Sequence, residues 1–178
     1  MMTKRNVLLS IVVIFIVAMV VAPYVFRNKP SEIVQPLNKK DFSAISRFDR
    51  KHIELEAGIS AVEHLIGKPI SFHDVLPQTG VAGYAAKLVY KGLDVIYERS
   101  SRSVMAFELT DDNYETARGL MVGNRVENVL NTYGKPTYQE TNELLYILTG
   151  NSGLEQRELA FSVSNDRVKM IQIFVPTP

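Results

Sequence analysis

The chain has 178 residues, with 20 Lys and Arg against 19 Asp and Glu for a formal charge of +1, so no basic excess argues for a nucleic-acid partner. It contains no cysteine, which excludes disulfides, a thiol nucleophile, a thiolate zinc site and a lipid-modified N-terminal cysteine. Past the first ~40 residues there is enough chain for one ordinary domain, or for two small halves sharing a core.

Residues 1–6 form a short head with Lys4 and Arg5, expected to be cytoplasmic. Val7 to Phe26 is then an uninterrupted uncharged run, long enough at ~1.5 Å per residue to cross a hydrocarbon core of ~30 Å. The expectation for residues 7–26 is an uncleaved signal anchor, a single transmembrane helix in the cell membrane. A cleaved secretory signal is the rival reading, disfavoured by the length of the run and by Pro23 directly after Ala22; a buried helix is a third. The basic head places the bulk of the chain on the extracytoplasmic side, although Arg27, Lys29, Lys39 and Lys40 beyond the run weaken that orientation. Residues 27–41, with Pro30, Ser31, Pro36 and Asn38, read as an extended spacer.

The domain proper divides at a duplicated spacing. Ile53-Glu-Leu-Glu56-Ala-Gly-Ile-Ser-Ala-Val62-Glu-His-Leu-Ile66-Gly67-Lys68-Pro69 matches Leu120-Met-Val-Gly123-Asn-Arg-Val-Glu-Asn-Val129-Leu-Asn-Thr-Tyr133-Gly134-Lys135-Pro136 at a fixed offset. The expected fold class is α+β, with two tandem repeats at 42–110 and 111–178, each a helical segment packed on an antiparallel three- to four-stranded meander. Phe42, Ile45 and Phe48 at three-residue steps predict a short amphipathic helix over Asp41–Lys51, whose bases are a solvated face or a contact for anionic lipid. Ile59, Val62 and Ile66 form one helical stripe, and Val126, Val129, Leu130 and Tyr133 form another. In both, glycine stops the helix and proline two residues later keeps it from resuming.

Strands follow each stop. In the first half they are expected at Ala86–Lys91, Leu93–Arg99 and Ser103–Thr110, and in the second at Tyr138–Thr149, Gln156–Ser164 and Val168–Val175. Their period-two alternation predicts a sheet covered on one side. Asp112-Asn-Tyr-Glu115 fits a capping box opening a short helix between the halves.

An apolar-x-x-Gly, five residues to Val, five more to Gly-x-Pro, and then an antiparallel sheet resembles the BamE/SmpA-type envelope module. In tandem it is similar to the β-lactamase inhibitor protein (BLIP-like) fold. The second copy carries the pattern through Leu120, Gly123, Val129, Gly134 and Pro136, and the first through Ile53, Val62, Gly67 and Pro69, with Glu56 in place of the first glycine. The resemblance implies a small α+β scaffold that binds envelope proteins by its sheet face or loops, with no catalysis. The chain departs from it in lacking a lipobox cysteine and in using the apolar run as its anchor.

Residues with catalytic or ligand chemistry each have a plainer reading. Leu76-Pro-Gln-Thr-Gly80 spells a sortase signal but lies far from the C-terminus, so it reads as a turn. His73 beside Asp74 lacks a nucleophile elbow, and adjacent strand residues point apart. Asp111-Asp112-Asn113-x-Glu115 opens like a calcium loop but lacks the required glycine and the closing glutamate. No metal or cofactor is therefore expected. Tyr84, Tyr114 and Tyr138, in loops or at strand ends, are the candidate binding residues, since an aromatic ring with a polar tip suits a protein interface. In Glu143–Thr149 both alternating sets are apolar, and the second set is expected at the joint between the repeats, or exposed for a partner. The functional expectation is a membrane-anchored, extracytoplasmic interaction module, a scaffold or inhibitor of an envelope protein and not an enzyme. The alternative is a sensor ectodomain holding a small ligand or wall fragment between the repeats.

Overall fold

One residue in, one residue out is the burial rhythm of most strands in the chain, and it builds a wide sheet with a single covered face. The structure is a computed structural model that describes residues 35–75, 84–150 and 155–176. Its large sheet has eight antiparallel strands: β3 (Ser71–Val75), β4 (Ala85–Tyr90), β5 (Leu93–Glu98), β6 (Val104–Leu109), β8 (Tyr138–Gln139), β9 (Glu143–Thr149), β10 (Gln156–Ser164) and β11 (Arg167–Phe174). They lie in the order β3-β4-β5-β6-β11-β10-β9-β8. A second, three-stranded sheet has β1 (Ser43–Ser46) between β2 (His52–Glu54) and β7 (Tyr114–Thr116). Two eight-residue helices, α1 (Ile59–Ile66) and α2 (Val126–Tyr133), complete the unit.

All of these elements cover one face of the large sheet. Leu93, Val95, Phe107, Phe161, Ile171 and Ile173 on that face are fully buried. They cluster with Ile59 and Val62 of α1, Val129 and Tyr133 of α2, and Phe42, Ala44 and Ile53 of the small sheet and its approach. Each large side chain so buried contributes roughly 1.5–3 kcal/mol. This packing, rather than propensity, holds the helices, because eight residues are too few for an independent helix.

The duplicated spacing reappears as duplicated backbone bonding. The first helical N–H of α1 donates to Arg102 O at 2.9 Å, and that of α2 to Asp166 O at 3.2 Å. Glu56 N and Gly123 N donate to Val104 O and Val168 O at 2.8 and 2.9 Å. Thus the turns after β5 and β10 cap helices that have no side-chain N-cap of their own. At the other end Gly67 (φ 89, ψ −165) and Gly134 (φ 76, ψ −152) take a conformation almost closed to other residues. Glu56 sits at φ 65 where its counterpart Gly123 sits at φ 91, so the glutamate keeps the backbone that a glycine takes without strain.

Several expectations are corrected. The described residues are not a pair of helix-plus-meander repeats: they are mostly strand, and the strands of both halves join edge to edge through β6 and β11 into one sheet. A small sheet that the sequence reading lacked lies beside it. No helix among the described residues is long and apolar enough to cross a membrane, and residues 7–26 lie outside those described. The signal anchor and the single-pass membrane localisation expected of them find no support among the described residues.

The amphipathic helix expected over Asp41–Lys51 is instead a 3-10 turn and β1. All four residues of β1 are buried; it is the central strand of the small sheet, hydrogen-bonded to β2 and β7, and Ala44 packs in the core cluster. Phe48, assigned to the helical stripe, is 82% exposed. The capping box at Asp112 opens no helix. The Asp111 carboxylate accepts the Asn113 backbone N–H at 2.8 Å, and the chain then enters β7. Tyr138–Thr149 is two strands divided by a tight turn, with Glu140 N donating to Glu143 O at 2.9 Å.

Candidate functional site

The uncovered face of the large sheet is the most distinctive surface in the described residues. Cross-strand partners share a face, so the register fixes its composition. One row runs Val89, Asp94, Glu108, Gln172, Ala160, Leu145 and Tyr138, from β4 to β8. The next runs His73, Lys87, Ile96, Ala106, Phe174, Glu158 and Ile147, from β3 to β9. Ile96, Phe174, Leu145 and Ile147 are half-buried by their neighbours along the sheet. Among the described residues, no helix or sheet packs over them.

A polar network lies beside this apolar row. Lys87 Nζ sits 3.1 Å from Asp94 Oδ2 and 2.5 Å from Glu108 Oε2. Gln172 Nε2 donates to the other Glu108 oxygen at 3.1 Å. Burial alone would lower the Lys87 pKa, but the hydrogen bonds to Glu108 and Asp94 outweigh it and leave the ammonium above its ordinary value. The arrangement fixes one charge per strand across β4, β5 and β6. Next to it, Ile96, Met105, Ala106, Phe174 and Pro176 line an open groove of about 420 Å³.

The three tyrosines do not form one site. Tyr138 lies on the open face, opposite Leu145, and is 63% exposed. Tyr84 precedes β4 and is 40% exposed, six strands away from β8 and so roughly 29 Å across the sheet at ~4.8 Å per strand. Tyr114 belongs to the small sheet and is half-buried; burial, then the nearby Asp49 and Asp111 carboxylates, push its hydroxyl above the ordinary range. Of the two places expected for the second apolar set of β9, the joint between repeats or an exposed face, Leu145 and Ile147 take the open face, since the two halves meet at β6 and β11.

The other sequence candidates separate. His73 Nε2 lies 3.0 Å from Ser71 Oγ on the exposed edge strand, while the adjacent Asp74 is paired with Arg99. Glu115 of the calcium-like stretch is buried and paired with Arg50. Leu76–Gly80 lies outside the described residues.

A second depression, of about 660 Å³, is lined by residues including Lys40, His52, Glu54, Glu56 and Arg157. It mixes both signs of charge, and Arg157 in it is committed to Glu56 at 2.6 Å.

Sequence reasoning found the alternation but not the open face, because which strands of the second half continue the first depends on the nonlocal pairing of β6 with β11. The visible trace was the uncharged Ile96, Ala106 and Phe174 on the polar side of otherwise alternating strands. No family model, no curated protein and no solved structure matches this chain.

Proposed function

We propose that this protein is a non-catalytic interaction module that docks a protein partner on the open face of its eight-stranded sheet. The observation that carries the reading is the row Ile96, Ala106 and Phe174, apolar side chains on three neighbouring strands of a sheet whose other face is already buried, with Ile147 beyond Glu158 on the same row. An uncovered sheet face normally alternates to polar residues, and a contiguous apolar strip with a polar rim is the anatomy of an interface. The resemblance to envelope binding modules agrees with this reading. The test is co-purification of the tagged full-length protein, compared with an Ile96→Ser/Phe174→Ser double variant. The variant should lose a stoichiometric partner while its circular-dichroism spectrum stays that of the folded protein. A partner retained by the variant would refute the proposal.

A second reading, a small ligand in the 660 Å³ depression, is favoured by its size and by Lys40 and His52, which face it without an ion-pair partner among the described residues. Ligand-dependent melting that is abolished by Lys40→Ala would support that reading over the first.

A further inference from the structure

The open face has a charge that the chain as a whole does not. Its ionisable side chains, assigned by register, are Asp94, Glu98, Glu108, Glu143 and Glu158 against Lys87 and Arg167, with His73 at the edge and Lys169 exposed at the β-bulge of β11. The complete chain is formally +1. Lys87 is already held between Asp94 and Glu108, and Arg167 and Lys169 sit at the far end of β11, where Arg167 donates to the Gly123 carbonyl at 2.8 Å, so the surroundings of the groove offer carboxylates in excess. Glu158 borders the apolar row directly, paired across the strands with Phe174 and Ile147; Glu143 lies on β9 beyond it.

We propose that the partner segment docked on this face is basic: an apolar or aromatic anchor seated in the groove at Ile96 and Phe174, flanked by Lys or Arg that meet Glu158 and Glu143. The proposal rests on the interaction-module reading. Charge decides among occupants. A nucleic acid or an anionic lipid surface carries the same sign as the face and is repelled. So is a second copy stacked face to face, which would set five carboxylates against five. A cationic protein segment is the occupant whose field complements the face, and attraction of this kind raises association rate and sets specificity.

The experiment is selection of a random 12-residue peptide library on the full-length protein, followed by binding of the enriched peptides at low and high salt. The expected peptides carry an aromatic or aliphatic residue beside Lys or Arg. They should lose at least about tenfold in affinity with Ile96→Ser/Phe174→Ser, as hot-spot anchors do. Each of Glu143→Gln and Glu158→Gln should cost about two- to fivefold, and binding should weaken as salt rises. Peptides that depend on Ile96 and Phe174 but show neither basic enrichment nor salt dependence would overturn the basic-partner proposal and leave the docking face standing. Enriched peptides indifferent to the double serine variant would overturn both.

Discussion

Replacing Arg118 with alanine removes the most heavily used side chain in the structure. Its guanidinium makes two bonds of 2.7 Å to the Asp41 carboxylate and donates to the carbonyls of Gln35 and Pro36, each at 2.9 Å, and of Thr132 at 3.2 Å. It also lies 4.9 Å above the Tyr133 ring. The residue therefore ties the approach to the small sheet to the last turn of α2. Asp41 is 3% exposed, and without Arg118 its remaining donor among the described residues is the Asn38 backbone N–H at 2.8 Å. A buried carboxylate stripped of its cation costs about 3–5 kcal/mol, a large share of the roughly 5–15 kcal/mol that holds a domain folded. For a unit of this size that corresponds to a fall of roughly 10–20 °C in Tm. Urea unfolding followed by circular dichroism is the assay, with Asp41→Asn/Arg118→Met as control. Because the double variant removes both charges, it should lose clearly less than Arg118→Ala alone. A loss below about 1 kcal/mol for Arg118→Ala, or a double variant worse than the single, would refute the reasoning.

The remaining predictions concern backbone strain, an unpartnered hydroxyl and alkaline pH. Gly123→Ala should destabilise by about 1–2 kcal/mol in chemical denaturation, because φ 91 disfavours a Cβ even though one would meet nothing within 4 Å. Glu56→Gly at the equivalent position relieves φ 65 but strips the largely buried Arg157 guanidinium, 11% exposed, of its carboxylate at 2.6 Å, so it should destabilise in chemical denaturation, and Glu56→Gly/Arg157→Met should lose less than the single variant. Tyr90→Phe should hold or raise Tm: its hydroxyl is buried with no hydrogen-bond partner among the described residues, and removing such a group saves about 1–3 kcal/mol of desolvation. A fall of several degrees would show that the hydroxyl is used. Burial pushes Tyr90 and Tyr146 up to about 12 from 10.0, so from pH 10 to 12 the unfolded chain gives up protons that the folded chain keeps. Stability should therefore drop as pH rises through that window, by about 1.4 kcal/mol per unit for each tyrosine, and less steeply in Tyr90→Phe. Denaturation midpoints that stay flat to pH 11.5 would contradict this.

The parts of the fold legible in the sequence are those with a local signal. Gly67 and Gly134 mark the ends of α1 and α2, and alternation between turn residues gives β10 as Gln156–Ser164. β1 had no such signal, because a central strand buried on both faces shows no alternation, and Ser43-Ala-Ile-Ser46 is not apolar enough to read as a core strand. β3 was missed for the opposite reason: as an exposed edge strand its middle residues Phe72, His73 and Asp74 all face solvent. The union of two strand runs into one sheet depends on Phe107 meeting Ile173 across 66 positions of chain, and no local pattern encodes that. The candidate site suffered the same way. Tyr138 lies on the open face, but Lys87, Asp94, Glu108, Ile96 and Phe174 become neighbours only once the strands are in register.

The most direct test of the central claim is a photo-reactive residue placed at position 174 on the open face, and separately at position 127, exposed on α2, in the full-length protein inside cells. The account predicts one dominant cross-linked protein from position 174, absent from position 127. Equal cross-linking from both positions, or capture from position 127 alone, would contradict it.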